Sequence, residues 1–332
     1  MKIKLIVSTA GMMAMTIFAT AFATVVVSSN SATAQEIINF GVQPATMPIY
    51  VARGAGLLDP VEKKHNVKIV FRSFSYGAPE NQALAAGELQ IASAGMGPAI
   101  VASARLPAKL LAISILEQTA ILVPKDSPFK SVADLKGKNV AYPGKGSQQY
   151  PLLVKALADA GLKVEDIKLF KTKGSDIPTL LGNKSVDAGI TWDPHVSKAL
   201  AAGHSRVLIK AEKILPIKAG HYIGNGVYAR EDFIAKNPEL VQDIITAIVK
   251  SIDIILEDKD KAIDMWVEQI KFPKDVIQLS LREGISVYNR DIAPEASTVD
   301  AYTKFLKEAG ILKAEDNPKF DASFAKNALA SN

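Results

Sequence analysis

A long apolar run fills residues 5–27, interrupted only by small and hydroxyl side chains. From residue 37 onward the chain changes to short apolar segments alternating with amphipathic ones. Residues 37–42, 67–71, 89–92 and 110–115 read as strands, each a brief run rich in aliphatic residues and bounded by polar residues or glycine. Pro48 suits the first turn of a short helix, and residues 78–86 read as a helix ended by Gly87. A second series repeats the alternation, with strands at 121–123, 139–141, 167–170 and 188–191. Its helices lie at 148–160 (closed by Gly161), near 177–181 and from Pro194, and Ser131-Val-Ala-Asp134 has capping-box spacing. Residues 238–257 predict a long helix with Val241, Ile245, Ile248, Ile252 and Ile255 on one stripe. Helical periodicity returns at 263–266, 276–285 and 299–306. These stripes are core faces. Strand–helix alternation at this spacing predicts an α/β fold with parallel sheets covered by helices.

The first apolar run does not belong to that pattern. Lys2 and Lys4 precede it, no acidic residue occurs before Glu36, and Ala32-Thr33-Ala34 supplies a small-residue cleavage site. Residues 1–34 therefore read as a secretory signal peptide. The run is also long enough for an uncleaved anchor, but its Ser and Thr residues and the small-residue site favour cleavage. Loss of Lys2 and Lys4 reduces a formal charge of +5 that is already mild and dispersed, which argues against a nucleic-acid partner. The chain has no cysteine, excluding disulfides, thiolate metal sites and cysteine nucleophiles. No later run approaches spanning length, so the mature chain is expected to be soluble, exported and monomeric.

Catalytic signatures are missing from the sequence. His65, His195, His204 and His221 form no close metal-ligand spacing, and there is no G-x-S-x-G elbow. Gly144-Lys-Gly-Ser147 lacks the spacing of a phosphate loop, and Gly95-Met-Gly97 lacks the third glycine of a dinucleotide fingerprint. The expectation is a binding protein with no catalytic residue, metal or cofactor. Polar and glycine-rich stretches recur where strands pass into helices. They contain Gln43 before Pro48, Ser75-Tyr76-Gly77, Gly95-Met96-Gly97-Pro98, Ser147-Gln148-Gln149 and Trp192-Asp193-Pro194. Each alone serves as a turn; together they predict a pocket rimmed by helix N-termini, whose free N–H groups and partial positive charge favour an anion or zwitterion. Trp192 is the candidate ligand wall. Asp193 is both a candidate contact and a helix N-cap with Pro194 at the first helical position.

Four stretches carry a family resemblance: "FGVQ", "ILVPKDSPFKSVADLKGKNVAYPGKGS", "SVDAGITWDP" and "GVYAREDFIAKNPELV". Together they resemble the periplasmic substrate-binding proteins of ABC transporters, in the sulfonate/taurine/nitrate group. The resemblance implies a two-lobed, clamp-like (type II) fold with a ligand cleft between the lobes. Lobe one would hold residues 36–118 and 232–332, and lobe two residues 119–231. It further implies delivery of a small anionic or zwitterionic solute, sulfonate- or taurine-like, to an inner-membrane ABC permease and its ATPase, the alternatives being a nitrate, pyrimidine-precursor or aromatic-acid binder or a pyrimidine-forming enzyme on the same fold. The implied pocket includes Gln43, Ser75, Tyr76, Gly77, Met96, Gly97, Pro98, Ser147, Gln148, Gln149, Trp192 and Asp193. Tyr222 and Asn225 join that set by lying near the return crossing. The sequence departs from sulfonate and taurine binders at Gly97, where Ser or Thr is usual, and at Gln148-Gln149, where small or hydroxyl residues followed by His or Asn are common.

Overall fold

The computed structural model describes residues 35–331; the predicted signal peptide lies outside them. Strand β1 (Glu36–Val42) leads into helices α1 (Met47–Gly54) and α2 (Asp59–His65), followed by β2 (Val67–Ser73), α3 (Gly77–Ala85), β3 (Ile91–Gly95), α4 (Met96–Arg105) and β4 (Ala108–Glu117). The next series runs β5 (Thr119–Pro124), β6 (Asn139–Tyr142), α5 (Gln149–Asp159), β7 (Lys168–Lys171), α6 (Ile177–Gly182), β8 (Ala188–Trp192), α7 (His195–Ala201), β9 (Ser205–Lys210) and α8 (Ala211–Ile214). The chain then forms β10 (Ile223–Arg230), α9 (Glu231–Lys236), α10 (Pro238–Glu257), α11 (Lys259–Ile270), α12 (Lys274–Arg282), β11 (Ser286–Val287), α13 (Ala296–Glu308) and α14 (Ser323–Ala330).

Two sheets result, a six-stranded one in the order β11-β4-β10-β3-β1-β2 and a five-stranded one in the order β7-β6-β8-β5-β9. The expectation of purely parallel sheets is corrected. β2, β1 and β3 are parallel, but β10 runs antiparallel to β3 and β4; in the second sheet β5 runs antiparallel to β8 and β9. Both antiparallel strands flank the places where the chain passes between sheets, so the crossings reverse strand direction. β10, which precedes residue 231, pairs in the first sheet.

Helices cover both sheets, which is why β3 and β8 are buried along their whole length and read as unbroken small or apolar runs. The predicted stripe of α10 is realised: Val241, Ile245, Ile248, Ile252 and Ile255 all enter the core of the first sheet, with Trp266 of α11 and Phe40 of β1. Ser131 and Asp134 form the expected capping box, on a short 3-10 turn. Among the described residues no helix is long and apolar enough to cross a membrane.

Between the sheets the chain crosses without a flexible linker. β4 ends at Glu117 (φ +58°), Gln118 follows with φ +132°, and β5 starts at Thr119. Positive φ at two successive residues with side chains is strained and persists only where surroundings enforce it. The enforcement comes from the returning segment. Glu117 N–H donates to the Tyr222 carbonyl (2.8 Å), Tyr222 N–H donates to Glu117 Oε1 (2.7 Å), and Gln118 Nε2 donates to the Gly224 carbonyl (2.6 Å). The two crossings thus brace each other.

Candidate functional site

Three helix starts converge where the sheets face each other. α3 begins at Gly77 and α4 at Met96, both on the first sheet, and α5 begins at Gln149 on the second. Gln43, Tyr76, Gly77, Gly95, Pro98, Gln148, Gln149 and Trp192, all in stretches expected from the sequence, line one cleft there, together with Gln118, which was not expected. Close approach explains two of the glycines. A Cβ on Gly77 would lie 2.2 Å from the Pro98 ring, and a Cβ on Gly95 would lie 2.7 Å from Gln148 Oε1. The cleft is nearly shut, with about 10 Å³ of free volume, on the order of one water.

A second cavity of about 270 Å³ adjoins it and shares Tyr76 and Trp192 with the cleft. Its other walls are Ser75, Pro143, Lys171, Thr172, Lys173 and Gly174. Trp192 therefore stands between the two spaces, with its ring edge over Gly174 and against the His195 imidazole at 5.3 Å between centroids. Burial pushes His195 down to about 4, so its ring is neutral at ordinary pH.

The remaining expected residues lie elsewhere. Met96 is fully buried in apolar packing. Ser147 turns its hydroxyl onto the Gly144 carbonyl (2.7 Å) and shapes the loop before α5. Tyr222 is buried with its hydroxyl 2.6 Å from that of Tyr302. Asn225 sits in β10, where its Oδ1 accepts from Ser93 Oγ (2.7 Å) and Ser114 Oγ (3.0 Å). Asp193 is buried, with Oδ1 accepting from Ser197 N–H (3.2 Å) and Oγ–H (2.6 Å) and Oδ2 from Ser286 Oγ (3.2 Å). Burial raises its pKa above the usual carboxylate range. The expected cap is shifted by one residue, because Pro194 occupies the N-cap position and α7 starts at His195. Asp193 ties β8 to β11, and thus the second sheet to the first.

Gly97 does not line the cleft, but its N–H donates to Gln148 Oε1 at 3.3 Å, across from the other sheet. A Cβ there would meet its nearest neighbour, the Gln148 Cα, at 3.6 Å, ordinary van der Waals contact. Gly97→Ser is accordingly expected to change unfolding free energy by less than about 1 kcal/mol, measured by urea denaturation; a larger loss would mean that the first turn of α4 tolerates no side chain.

Below the cleft, Gln43 Nε2 donates to Glu80 Oε2 at 2.7 Å. Glu80 is fully buried, and desolvation drives its pKa up to about 8 against the hydrogen bonds from Gln43 and the Ser93 backbone. Gln43 is therefore held from behind by a carboxyl that is largely protonated at neutral pH.

Comparison with known families rests on this architecture. The profile of the family described as NMT1/THI5 like matches residues 43–262, a span holding most of both sheets and every cleft residue. The chain belongs to the NMT1/THI5-like family. Within that likeness, it is 30% identical over 73% of its length to a protein of Escherichia coli (strain K12) that is provisionally named an aliphatic sulfonates-binding protein, covering 74% of that relative. The fold is that of the crystal structure of the periplasmic aliphatic sulphonate binding protein SsuA from Escherichia coli, at a TM-score of 0.71 and 24% identity, covering 85% of this chain and 95% of that one. An enzyme is also similar to this NMT1/THI5-like chain: the 4-amino-5-hydroxymethyl-2-methylpyrimidine phosphate synthase of Aspergillus parasiticus, 22% identical over 86% of this chain and 84% of the enzyme.

Proposed function

We propose that this chain is a non-enzymatic periplasmic solute receptor that closes on a small anionic or zwitterionic solute and delivers it to an inner-membrane ABC permease with its ATPase. The observation that carries this reading is one cleft lined from both sheets, with Tyr76, Gly77 and Pro98 on one side and Gln148, Gln149 and Trp192 on the other. Such an arrangement is completed only when the sheets approach, which couples solute capture to closure. In this reading the six-stranded sheet with the C-terminal helices is lobe one, the five-stranded sheet is lobe two, and residues 1–34 are removed on export. The receptor acts as a monomer and needs no cofactor. His195, beside the cleft wall, is buried against Trp192 and Phe272, which supports packing over catalysis. The relatives' names favour sulfonates as the first solutes to test.

A thermal-shift panel of sulfonates, nitrate, pyrimidines and aromatic acids tests the reading. A true solute at a hundred times its Kd stabilises the folded chain by about 2.7 kcal/mol. Trp192→Ala is expected to weaken that binding by about 2 kcal/mol, read by calorimetry. Absence of stabilisation by the panel and by a small-molecule cell extract would sink the receptor reading.

A further inference from the structure

The polar groups of the cleft are unevenly satisfied, and the pattern specifies a ligand. At the start of α4, Gly97 N–H donates to Gln148 Oε1, while Gln148 Nε2 donates to the Ile223 carbonyl at 3.2 Å. The chain thus supplies its own neutral acceptor at the helix N-terminus that would otherwise attract an anion. Among the described residues no Lys, Arg, His, Asp or Glu lines the cleft. A bare anion placed there would lose its water without gaining a counter-charge.

Two cleft side chains, each more than nine-tenths buried, keep a polar atom without a hydrogen-bond partner. These are Trp192 Nε1–H, a donor, and Gln118 Oε1, an acceptor. Buried polar atoms left unpaired are costly, and a ligand that pairs both recovers that cost. One uncharged group with an acceptor and a donor meets the requirement. Positive charge is available next door, where Lys171 and Lys173 line the 270 Å³ cavity beyond Trp192.

We propose that the site takes a planar, bifunctional organic acid: an uncharged amide-like end, carrying a C=O acceptor and an N–H donor, enters the cleft against Trp192 and Gln118, and the anionic end lies outward against Lys171 and Lys173. This deepens the receptor reading and rests on it. It reverses the polarity expected of an anion held at helix N-termini, since the charge faces the mouth. The shut cleft opens for this ligand by separation of Gln148 from Gly97.

The test is calorimetry on the mature chain with three probes: 4-carbamoylbenzoate, which has both ends, benzamide, which has only the amide, and benzenesulfonate, which has only the charge. The expected result is that 4-carbamoylbenzoate binds at least tenfold tighter than either other probe. The Lys171→Gln/Lys173→Gln double variant should remove its advantage over benzamide. Trp192→Phe, which keeps a ring but lacks the N–H, should weaken 4-carbamoylbenzoate and benzamide together by roughly five- to tenfold. Benzenesulfonate binding as tightly as 4-carbamoylbenzoate, and unchanged in the lysine variant, would overturn the proposal. Failure of all three probes while alkanesulfonates still bind would overturn it too, and would leave the receptor reading standing. No binding of probes, panel or cell extract would instead fail the receptor reading and the proposal with it.

Discussion

Gly224→Ala is expected to cost about 3 kcal/mol of stability. The added Cβ would lie 2.1 Å from the Glu117 carbonyl oxygen and 3.0 Å from Gln118 Cγ. Backbone atoms cannot yield as a long side chain does, so the returning strand must move off the outgoing one. That movement breaks the Gln118–Gly224 hydrogen bond and stretches the Glu117–Tyr222 pair. Urea denaturation of the mature chain measures the loss. Gly182→Ala is the control, because its Cβ meets nothing closer than 3.7 Å. Equal stability of the two variants would show that the crossings are not braced as described.

Glu80→Gln is expected to stabilise the protein increasingly as pH rises. Burial lifts the folded-state pKa from the ordinary 4.5 to about 8. A carboxyl whose folded pKa is raised favours folding below the unfolded value and loses that contribution as pH climbs through the folded one. The wild-type chain therefore loses stability from this group between pH 4.5 and about 8, by at most about 1.4 kcal/mol per pH unit. Glutamine mimics the protonated form and does not titrate. Near pH 5 the two proteins should be close, and at pH 8 the variant should be ahead by several tenfold steps in the unfolding constant. Denaturation series from pH 5 to 9 decide the matter, and parallel curves would refute it. Glu117, raised by burial to about 7, adds a fall of the same sign over a narrower window, pH 4.5 to about 7, in both proteins.

Regular elements were legible from the sequence where hydrophobic spacing dictates them. The stripe on α10 and the strands β1, β2 and β5 follow from aliphatic periodicity alone. β10 did not show itself, because Gly224, Asn225 and Gly226 interrupt its apolar run; the glycines admit the close approach of β4, the turn after it and α4, and Asn225 accepts from Ser93 and Ser114. The parallel expectation failed because alternation of strands and helices carries no sign of a strand that returns from the other sheet. Helix starts around the cleft were legible through Gly, Ser and Pro. Gln118 was not, since the strained turn it occupies uses no glycine and leaves no local signature. Asp193 and Met96 were placed at the cleft because they adjoin it in sequence, whereas one side chain serves a serine network and the other packs in the core.

The bond from Asp193 to Ser286 ties the two sheets together away from the two crossings and from the Gly97–Gln148 contact. Ser286 belongs to β11, which pairs with β4 in the first sheet, while Asp193 follows β8 in the second. Lys210 of β9 adds to it by donating to the Glu283 carbonyl at 2.8 Å. Both bonds lie on one flank, so any bending between the sheets there would have to stretch them. In the proposed receptor, a balance between shut and parted forms would be set partly far from the solute, and apparent affinity would scale with the fraction of molecules in the competent form. Evolution could retune the strength of capture through those bonds while leaving every residue that touches the solute unchanged.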